Sequence, residues 1–201
     1  MKFGILAVVA TSMTLGACSG GGGSGPRSYA TPEEAFAGRT QEASDLTDEL
    51  GKYHNASWSG MPTKGSAKFD GFSAITIDTA SQTLALIGLA ELKANFGAGT
   101  VTGTLTDFNG GYSSGSIDAY GGNITVSNGQ IGLPVPNAFI ADYNGTLTGN
   151  SESVVLGGGM TGVFKATPIR GVLAASDALT ATAAIDGVTA VDSALVIVAK
   201  K

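Results

Sequence analysis

Apolar and polar residues alternate with a period of two along most of the chain beyond Gly65. Between Asn95 and Phe108, the residues Val101, Gly103 and Leu105 alternate with threonines, and the same pattern occurs over 84–96 and 139–149. A period of two places successive side chains on opposite faces of a β-strand, and the β-branch of threonine fits the pleated surface. The chain is therefore predicted to form antiparallel strands with one buried face and one hydrated, threonine-rich face.

About eight strands are predicted from this pattern, and the apolar run SALVIVAK near the C-terminus predicts one more. Their approximate bounds are 66–72, 74–79, 84–96, 99–108, 115–127, 139–149, 153–166 and 169–175. Turns are predicted at four glycine-containing sites, at 109–111, 120–123, 127–130 and 157–159. Strand and helix patterns do not alternate along the sequence, which excludes an α/β fold.

These strands are expected to close into a small barrel. The inward-facing set mixes glycine with large apolar residues, and this alternation suits a narrow barrel filled by side chains. A sandwich is the alternative, although its core more often contains unbroken runs of Val, Ile and Leu. The outward threonines provide no apolar band for a membrane-spanning barrel. The predicted fold class is all-β: a small, about eight-stranded, antiparallel up-and-down β-barrel with a short N-terminal helical segment.

The stretch before the strands has the one persuasive helical pattern in the sequence. Thr31 is a suitable N-cap and Pro32 suits the first helical position. Glu33 and Glu34 follow in the first turn, where the helix dipole favours negative charge, and Gly51 is a suitable end. One or two short helices are predicted here, packed on the barrel rather than presented to a partner.

The N-terminal residues have the features of an exported lipoprotein. Lys2 precedes an apolar run, Phe3–Val9, that is too short to span a bilayer. The sequence Leu15–Cys18 (LGAC) resembles the lipobox of bacterial lipoproteins, which implies cleavage before Cys18 and acylation of its thiol. A plain signal peptide is the alternative. Because Ser19 follows the cysteine, where an aspartate would indicate retention in the inner membrane, we expect a lipid-anchored protein of the outer membrane. Ser19 leaves open which face it occupies; the expectation is the cell surface, with the periplasm as the alternative.

Composition divides the chain into four parts. These are a signal peptide at 1–17, the lipidated Cys18 and a flexible glycine-rich tether at 18–30, a helical lead segment at 31–56, and a barrel domain with a C-terminal extension at 57–201. Cys18 is the only cysteine, so neither an internal disulfide nor a thiolate metal site can form.

Charge and histidine content restrict the partners. The formal net charge is −5, and an acidic domain has no general attraction for phosphate backbones, so nucleic acid is not an expected partner. His54 is the only histidine, which rules out a site that needs two histidine ligands. It is interpreted as a polar loop residue, with an axial haem ligand as the alternative. We expect a monomer that has neither a cofactor nor a metal.

Three blocks of the sequence carry a family resemblance. They are Met61–Phe72 (MPTKGSAKFDGF), Leu89–Phe108 (LAELKANFGAGTVTGTLTDF) and Gly157–Ala166 (GGGMTGVFKA). Their order and spacing resemble the β-barrel domain of transferrin-binding protein B and similar surface lipoproteins, factor H binding protein among them. The resemblance implies an eight-stranded barrel on a lipid-tethered exported protein that captures a host protein, an iron carrier or a small ligand. The transferrin-contacting loops of that family lie outside these blocks.

Aromatic residues near loops are the candidate ligand-binding residues. The residues predicted to lie near loops are Trp58, Tyr112 and Tyr120. Phe139 and Tyr143 are predicted to lie in the core, because they follow the apolar alternation of 139–149. The predicted recognition surface consists of the loops at 109–122 and 128–138.

The chain is not expected to be an enzyme. Ile75–Ser81 (ITIDTAS) resembles the Asp-Thr-Gly core of aspartic proteases, but Ala80 replaces the required glycine and no second copy exists. The first hypothesis is a lipid-anchored binding protein that captures a protein or small ligand through barrel loops, with iron or haem acquisition and host-factor binding as options. The alternative is a structural, periplasm-facing lipoprotein without a ligand, and a protease-like enzyme is the remote one.

Overall fold

The computed structural model describes residues 28–201. The predicted signal peptide at 1–17, the lipidation site Cys18 and most of the tether lie outside the described residues. The described chain contains one α-helix, α1 (Pro32–Gly51), one 3-10 turn at Trp58–Gly60, and ten strands. The strands are β1 (Ser66–Asp78), β2 (Thr83–Asn95), β3 (Thr100–Tyr112), β4 (Asp118–Ile131), β5 (Ala138–Gly149), β6 (Glu152–Lys165), β7 (Gly171–Ser176), β8 (Thr182–Ile185), β9 (Val188–Thr189) and β10 (Asp192–Lys200).

The strands close into an antiparallel barrel with eight positions in its wall. Each strand from β1 to β6 pairs with the next one in the chain, β6 pairs with β7, β7 with β10, and β10 with β1. β8 continues along β6 beyond the end of β7, so these two short strands share one position, and β9 pairs only with β8. The predicted fold class, a small all-β antiparallel barrel with an N-terminal helix, is confirmed.

The residues predicted as a C-terminal extension complete the wall. β10 pairs with β1 over nine residue pairs, from Asp70 opposite Lys200 to Asp78 opposite Asp192. β10 also pairs with β7, from Val196 opposite Ala175 to Lys200 opposite Gly171. The last strand therefore joins the first strand to the seventh position and is part of the barrel rather than an addition to it.

The predicted alternation is confirmed in the barrel interior. Val101 and Leu105 are buried while the threonines between them are exposed, and Phe139 and Tyr143 lie in the core as predicted. The ring of Phe164 packs against Phe69, Phe96 and Phe139 at centroid distances of 6.1, 5.6 and 5.6 Å. Large side chains thus fill the interior, which is where most of the hydrophobic stabilisation of the fold arises.

The four predicted glycine turns are wrong, because these glycines lie inside strands. Residues 109–111 belong to β3, 120–123 and 127–130 to β4, and 157–159 to β6. A Cβ at position 110 would overlap the carbonyl oxygen of Ala85, and Gly122 has a positive φ of 102° at the β4–β5 pairing. The glycines permit close approach of neighbouring strands, a second use that the turn interpretation overlooked. The strands predicted separately at 66–72 and 74–79 are likewise one strand, β1.

Helix α1 is a single helix that lies on the outer wall of the barrel. The side chain of Thr31 accepts a bond from the amide of Glu34 at 3.3 Å, which confirms the predicted N-cap. Leu46 and Leu50 pack with Val198 in a second apolar cluster, which also includes Phe72 and Leu173. The buried guanidinium of Arg39 donates to the backbone carbonyl and the carboxylate of Asp107 in β3. The prediction that the helix packs on the barrel is therefore confirmed.

Strand direction places the connections at two opposite ends of the barrel. One end, which we call the basic end, consists of the hairpins 96–99, 132–137 and 166–170, the lead residues 52–65 and the last residues of β10. The other, which we call the acidic end, consists of the hairpins 79–82, 113–117 and 150–151 and the residues 186–191. Residues 177–185, which lead to this end, run along the outer wall beside β6, where Asp177 and Thr180 bond to Gly159. The lead residues are held in place because the amide of Ala56 donates to Phe164 O at 2.8 Å and Asn137 Nδ2 donates to Ala56 O at 2.7 Å.

Candidate binding surfaces

A carboxylate and two tyrosines close the barrel mouth at the acidic end. The hydroxyl of Tyr112 donates to Glu152 Oε2 at 2.7 Å, and the hydroxyl of Tyr120 donates to Glu152 Oε1 at 2.5 Å. Burial and the bond to Glu152 raise the pKa of Tyr112 to about 12, and the same two causes raise the pKa of Tyr120. Both hydroxyls therefore stay protonated as donors, and both carboxylate oxygens are engaged.

This arrangement corrects the assignment of the two tyrosines as ligand-binding residues. Tyr120 lies inside β4 and is 2% exposed, so it is a core residue rather than a loop residue. Tyr112 is the last residue of β3, partly buried against the core. Of the predicted recognition loops, 109–122 is mostly strand around a short hairpin, whereas 132–137 within 128–138 is a loop. The error for Tyr120 arose because the glycine-containing stretch 120–123 was interpreted as a turn, whereas it continues β4.

The segment 177–191 presents exposed apolar side chains to solvent. Leu179, Val191 and Val188 are 94%, 76% and 70% exposed, the highest fractions among the large apolar residues of the described chain. Carboxylates accompany them on this segment and on the rest of the acidic end; they are Asp78, Asp118, Glu152, Asp177, Asp186 and Asp192. Within residues 28–201, no lysine or arginine lies on this end. The segment therefore combines exposed apolar side chains with negative charge and has no positive charge.

A shallow groove of about 310 Å³ on the outer wall adjoins this segment. Asp177 and Thr180 of the segment line it together with residues of β4, β5 and β6, and the exposed side chain of Ile140 contributes apolar surface. Asp142, whose carboxylate accepts a bond from Asn128 Nδ2 at 2.9 Å, is the second acidic residue of the lining. Two carboxylates and no basic residue line the groove, so it suits a positively charged group.

The basic end collects the positive charge of the molecule. Eight of the nine lysines and arginines in residues 28–201 lie there: Lys52, Lys64, Lys68, Lys93, Lys165, Arg170, Lys200 and Lys201. The ninth, Arg39, is buried beneath α1. The predicted candidate Trp58 is also on this end, 67% exposed on the 3-10 turn, and Leu133 and Val135 are exposed on the neighbouring hairpin.

Two other residues of the basic end, Lys165 and His54, form hydrogen bonds that join the lead residues 52–65 to the end of β6 and the hairpin that follows it. Lys165 is 8% exposed, and its Nζ donates to Asn55 Oδ1 at 3.0 Å, while burial lowers the pKa of its ammonium. His54 is exposed, and its carbonyl accepts the amide of Ala166 at 2.9 Å. His54 thus occupies the polar connecting segment that was predicted for it.

Asp78, the candidate from the protease-like motif, lies at the end of β1 directly opposite Asp192 of β10. Both residues are exposed on the outer wall. Asp78 Oδ1 accepts a bond from the Thr83 hydroxyl at 2.5 Å, and Asp192 Oδ1 accepts the amide of Ser193 at 2.7 Å. Each carboxylate is therefore engaged by its own neighbour on an open surface, whereas the two aspartates of a protease dyad share one proton inside a cleft.

No group of three or more His, Cys, Asp or Glu side chains within residues 28–201 is arranged to hold a metal ion. The one helix that the structure describes is also not apolar enough to cross a bilayer. Comparison of the chain with protein-family models, with curated proteins and with solved structures finds no match in any of the three. The resemblance to transferrin-binding protein B therefore stays a prediction.

The residues that distinguish the two ends were missed in the sequence. Leu179, Val188 and Val191 lie in a tail with no strong pattern, and the basic residues are spread from position 52 to position 201. Only the antiparallel strand order, which returns every second connection to the same end, brings the lysines together. The one available signal was the number of charged residues in each predicted connection between strands, compared between alternate connections.

Proposed function

We propose that the protein is a lipid-anchored binding lipoprotein of the outer membrane, exposed at the cell surface, that captures a protein partner with the segment 177–191. The lipobox at Cys18 and the glycine-rich tether support the anchor and the distance from the membrane. The barrel supplies a rigid support for the surface that binds, as loops on rigid scaffolds do in many binding proteins.

One observation carries this proposal. The three most exposed large apolar side chains of the described chain, Leu179, Val188 and Val191, lie on one segment of 15 residues. Exposed apolar residues scattered singly are ordinary, whereas the concentration of the three most exposed ones on 15 residues favours this segment as a protein interaction surface. The barrel interior is filled by large side chains, which favours capture on the outer surface over binding of a small ligand inside.

The charges of this surface indicate the chemistry of the partner. Asp177 and Asp186 lie on the segment, Asp192 follows it, and Asp142 lines the adjoining groove. A partner with an apolar centre and lysine or arginine side chains at its border is complementary to this arrangement. Such a pairing places one basic side chain of the partner in the groove between Asp142 and Asp177.

The first test of this proposal is the accessibility of the domain in intact cells. Protease added to living cells is expected to remove the domain from the full-length protein, whereas a periplasmic protein of the same cells stays intact as the control. Complete protection of the domain, together with cross-linking to a fixed periplasmic partner, would contradict surface capture and favour the structural alternative.

The second test locates the binding surface. A photo-cross-linking amino acid at position 188 is expected to give a discrete protein adduct on cells exposed to host fluid, while the same amino acid at the exposed wall position 102 of β3, a strand that is not adjacent to β6, gives none. Leu179→Ser with Val191→Ser is expected to lower the adduct yield about tenfold, the effect of losing about 1.4 kcal/mol of binding free energy. Val196→Ser, on the outer wall, is the control. Equal adducts from positions 188 and 102 would refute this surface.

A further inference from the structure

We infer that the basic end of the barrel docks on an anionic lipid surface, so that the domain stands on the membrane with the acidic end facing away. The inference goes beyond the proposed capture of a partner, and it does not depend on acylation of Cys18. It follows from the distribution of charge and exposed apolar residues over residues 28–201.

The lysines of the basic end are mostly free to meet another surface. Lys68 is paired with Asp70 and Glu91 at 3.1 and 2.8 Å, and Lys200 lies 3.8 Å from Glu49. The other exposed cations of this end have no carboxylate within 4.0 Å among the described residues; they are Lys52, Lys64, Lys93, Arg170 and Lys201. Four carboxylates near these eight cations, Asp48, Glu49, Asp70 and Glu91, leave the basic end positive, although the chain as a whole is acidic.

Exposed apolar side chains lie among these cations. Trp58 is 67% exposed, and its segment is tied to the hairpin 166–170 by the bond from Ser57 N to Thr167 Oγ1 at 3.0 Å. Leu133 and Val135 are 43% and 42% exposed on the hairpin 132–137, whose Asn137 bonds the backbone of Ala56. The tryptophan and the two aliphatic side chains are thus held on adjacent connections of the same end.

An anionic membrane surface fits this combination. Tryptophan favours the interface between water and lipid because its ring is apolar and its N–H is a donor. Lysine side chains close to an anionic leaflet each strengthen binding about fivefold. A site for another protein would be expected to have polar groups arranged to pair with specific groups of that partner. The unpaired ammonium groups here are instead spread around the basic end.

Docking by the basic end would also determine the orientation of the opposite end of the barrel. The acidic end lies at the other end of strands of 12 to 14 residues, β1 to β6, which rise about 3.3 Å per residue. Five carboxylates of the acidic end, Asp78, Asp118, Glu152, Asp186 and Asp192, then lie well beyond a Debye length from the leaflet, so the strands rather than charge repulsion set the orientation. Docking by the basic end therefore orients the acidic end, with Val188 and Val191 of the segment 177–191, away from the lipid.

Vesicle binding of an unacylated chain tests the inference. The chain from position 18 onward with Cys18→Ser keeps every residue of the helix and barrel and removes the lipid. Trp58 is the only tryptophan, so its emission reports this end of the molecule alone. Vesicles with about one third anionic phospholipid are expected to shift the emission of Trp58 to the blue and to quench it when the lipid is brominated, whereas zwitterionic vesicles have neither effect.

A charge-matched pair of variants isolates the basic end. Lys52→Gln with Lys64→Gln and Lys93→Gln is expected to weaken binding to the anionic vesicles about a hundredfold, from about fivefold for each lysine. The control changes the net charge by the same amount elsewhere, through Asn123→Asp, Asn144→Asp and Asn150→Asp, and is expected to bind within about threefold of the parent.

Three results would overturn the inference. One is equal vesicle binding by the lysine variant and the parent, and another is binding without a change in the emission of Trp58. The third is an equal emission shift with heparin at matched charge concentration, which would assign the basic end to a soluble polyanion. Failure of this test leaves cross-linking at position 188 unaffected, so the two proposals are judged separately.

Discussion

Replacement of Glu152 by alanine is expected to destabilise the barrel at the acidic end. Its two carboxylate oxygens accept the hydroxyls of Tyr112 and Tyr120, which come from residues 40 and 32 positions away in the chain. The tyrosine that is 2% exposed, Tyr120, has no water to replace the lost acceptor. Its hydroxyl would remain buried without a partner, which is the costly outcome for a polar group.

The expected loss follows from the two bonds. A hydrogen bond to a charged group contributes about 1.5 to 3 kcal/mol to the free energy of unfolding. Tyr112 is only partly buried and recovers some of its bond with water, whereas Tyr120 recovers none. Glu152→Ala is therefore expected to lower the free energy of unfolding by about 2 to 4 kcal/mol. Glu152→Gln keeps an acceptor oxygen and is expected to lose about 1 kcal/mol.

Denaturant unfolding followed by circular dichroism measures these changes, and a double-mutant cycle assigns them. Tyr120→Phe and Glu152→Ala remove the same bond, so the double variant should lose less than the sum of the two single losses, with an interaction energy of about 1 to 2 kcal/mol. Tyr53→Phe, a tyrosine at the opposite end, is the control and should be additive with Glu152→Ala. A fully additive Tyr120–Glu152 cycle, or a Glu152→Ala variant as stable as the parent, would refute this reasoning.

Three other predictions concern packing, pH and the anchor. Gly103→Val is expected to cost about 1 to 3 kcal/mol, because a Cβ there would overlap the Leu92 side chain and lie 2.6 Å from Glu91 O; Gly97→Ala, with its nearest neighbour at 3.6 Å, is the thermal-unfolding control. Since the pKa of Tyr112 is raised from 10.0 to about 12, the free energy of unfolding should hold up to about pH 10 and fall as the pH rises toward 12. Spectrophotometric titration should show tyrosine ionisation at lower pH in Glu152→Ala than in the parent. An unchanged titration would contradict the contact between Tyr112 and Glu152. Cys18→Ser should leave the folded domain intact but abolish acylation, and a variant that still incorporates labelled palmitate would disprove the lipobox.

The long alternating segments were predictable because their burial is decided by a local period of two. Val101 and Leu105, like Phe139 and Tyr143, lie inside the barrel as their alternation requires. The caps of α1 are equally local, since Thr31 and Pro32 act within one turn of the chain. These features depend on neighbours in sequence, so a single sequence is sufficient to find them.

The remaining features depend on partners that are distant in sequence. A glycine such as Gly110 is suited to a turn and also to a strand that passes close to another backbone, and only the position of Ala85 decides between them. The fate of Tyr120 depends on Glu152, which lies 32 residues later in the chain. The separation of charge between the two ends appears only when the strand order is known.

The proposed docking requires that the first and last strands join, because this closure holds the acidic end and the basic end at opposite ends of one barrel. Nuclear magnetic resonance spectroscopy of the intact chain tests it through nuclear Overhauser effects between β1 and β10. Closure predicts cross-strand Hα–Hα effects at alternate pairs between Asp70–Lys200 and Asp78–Asp192. An assigned spectrum with the corresponding effects between β1 and β2 but none between β1 and β10 would contradict the closed barrel.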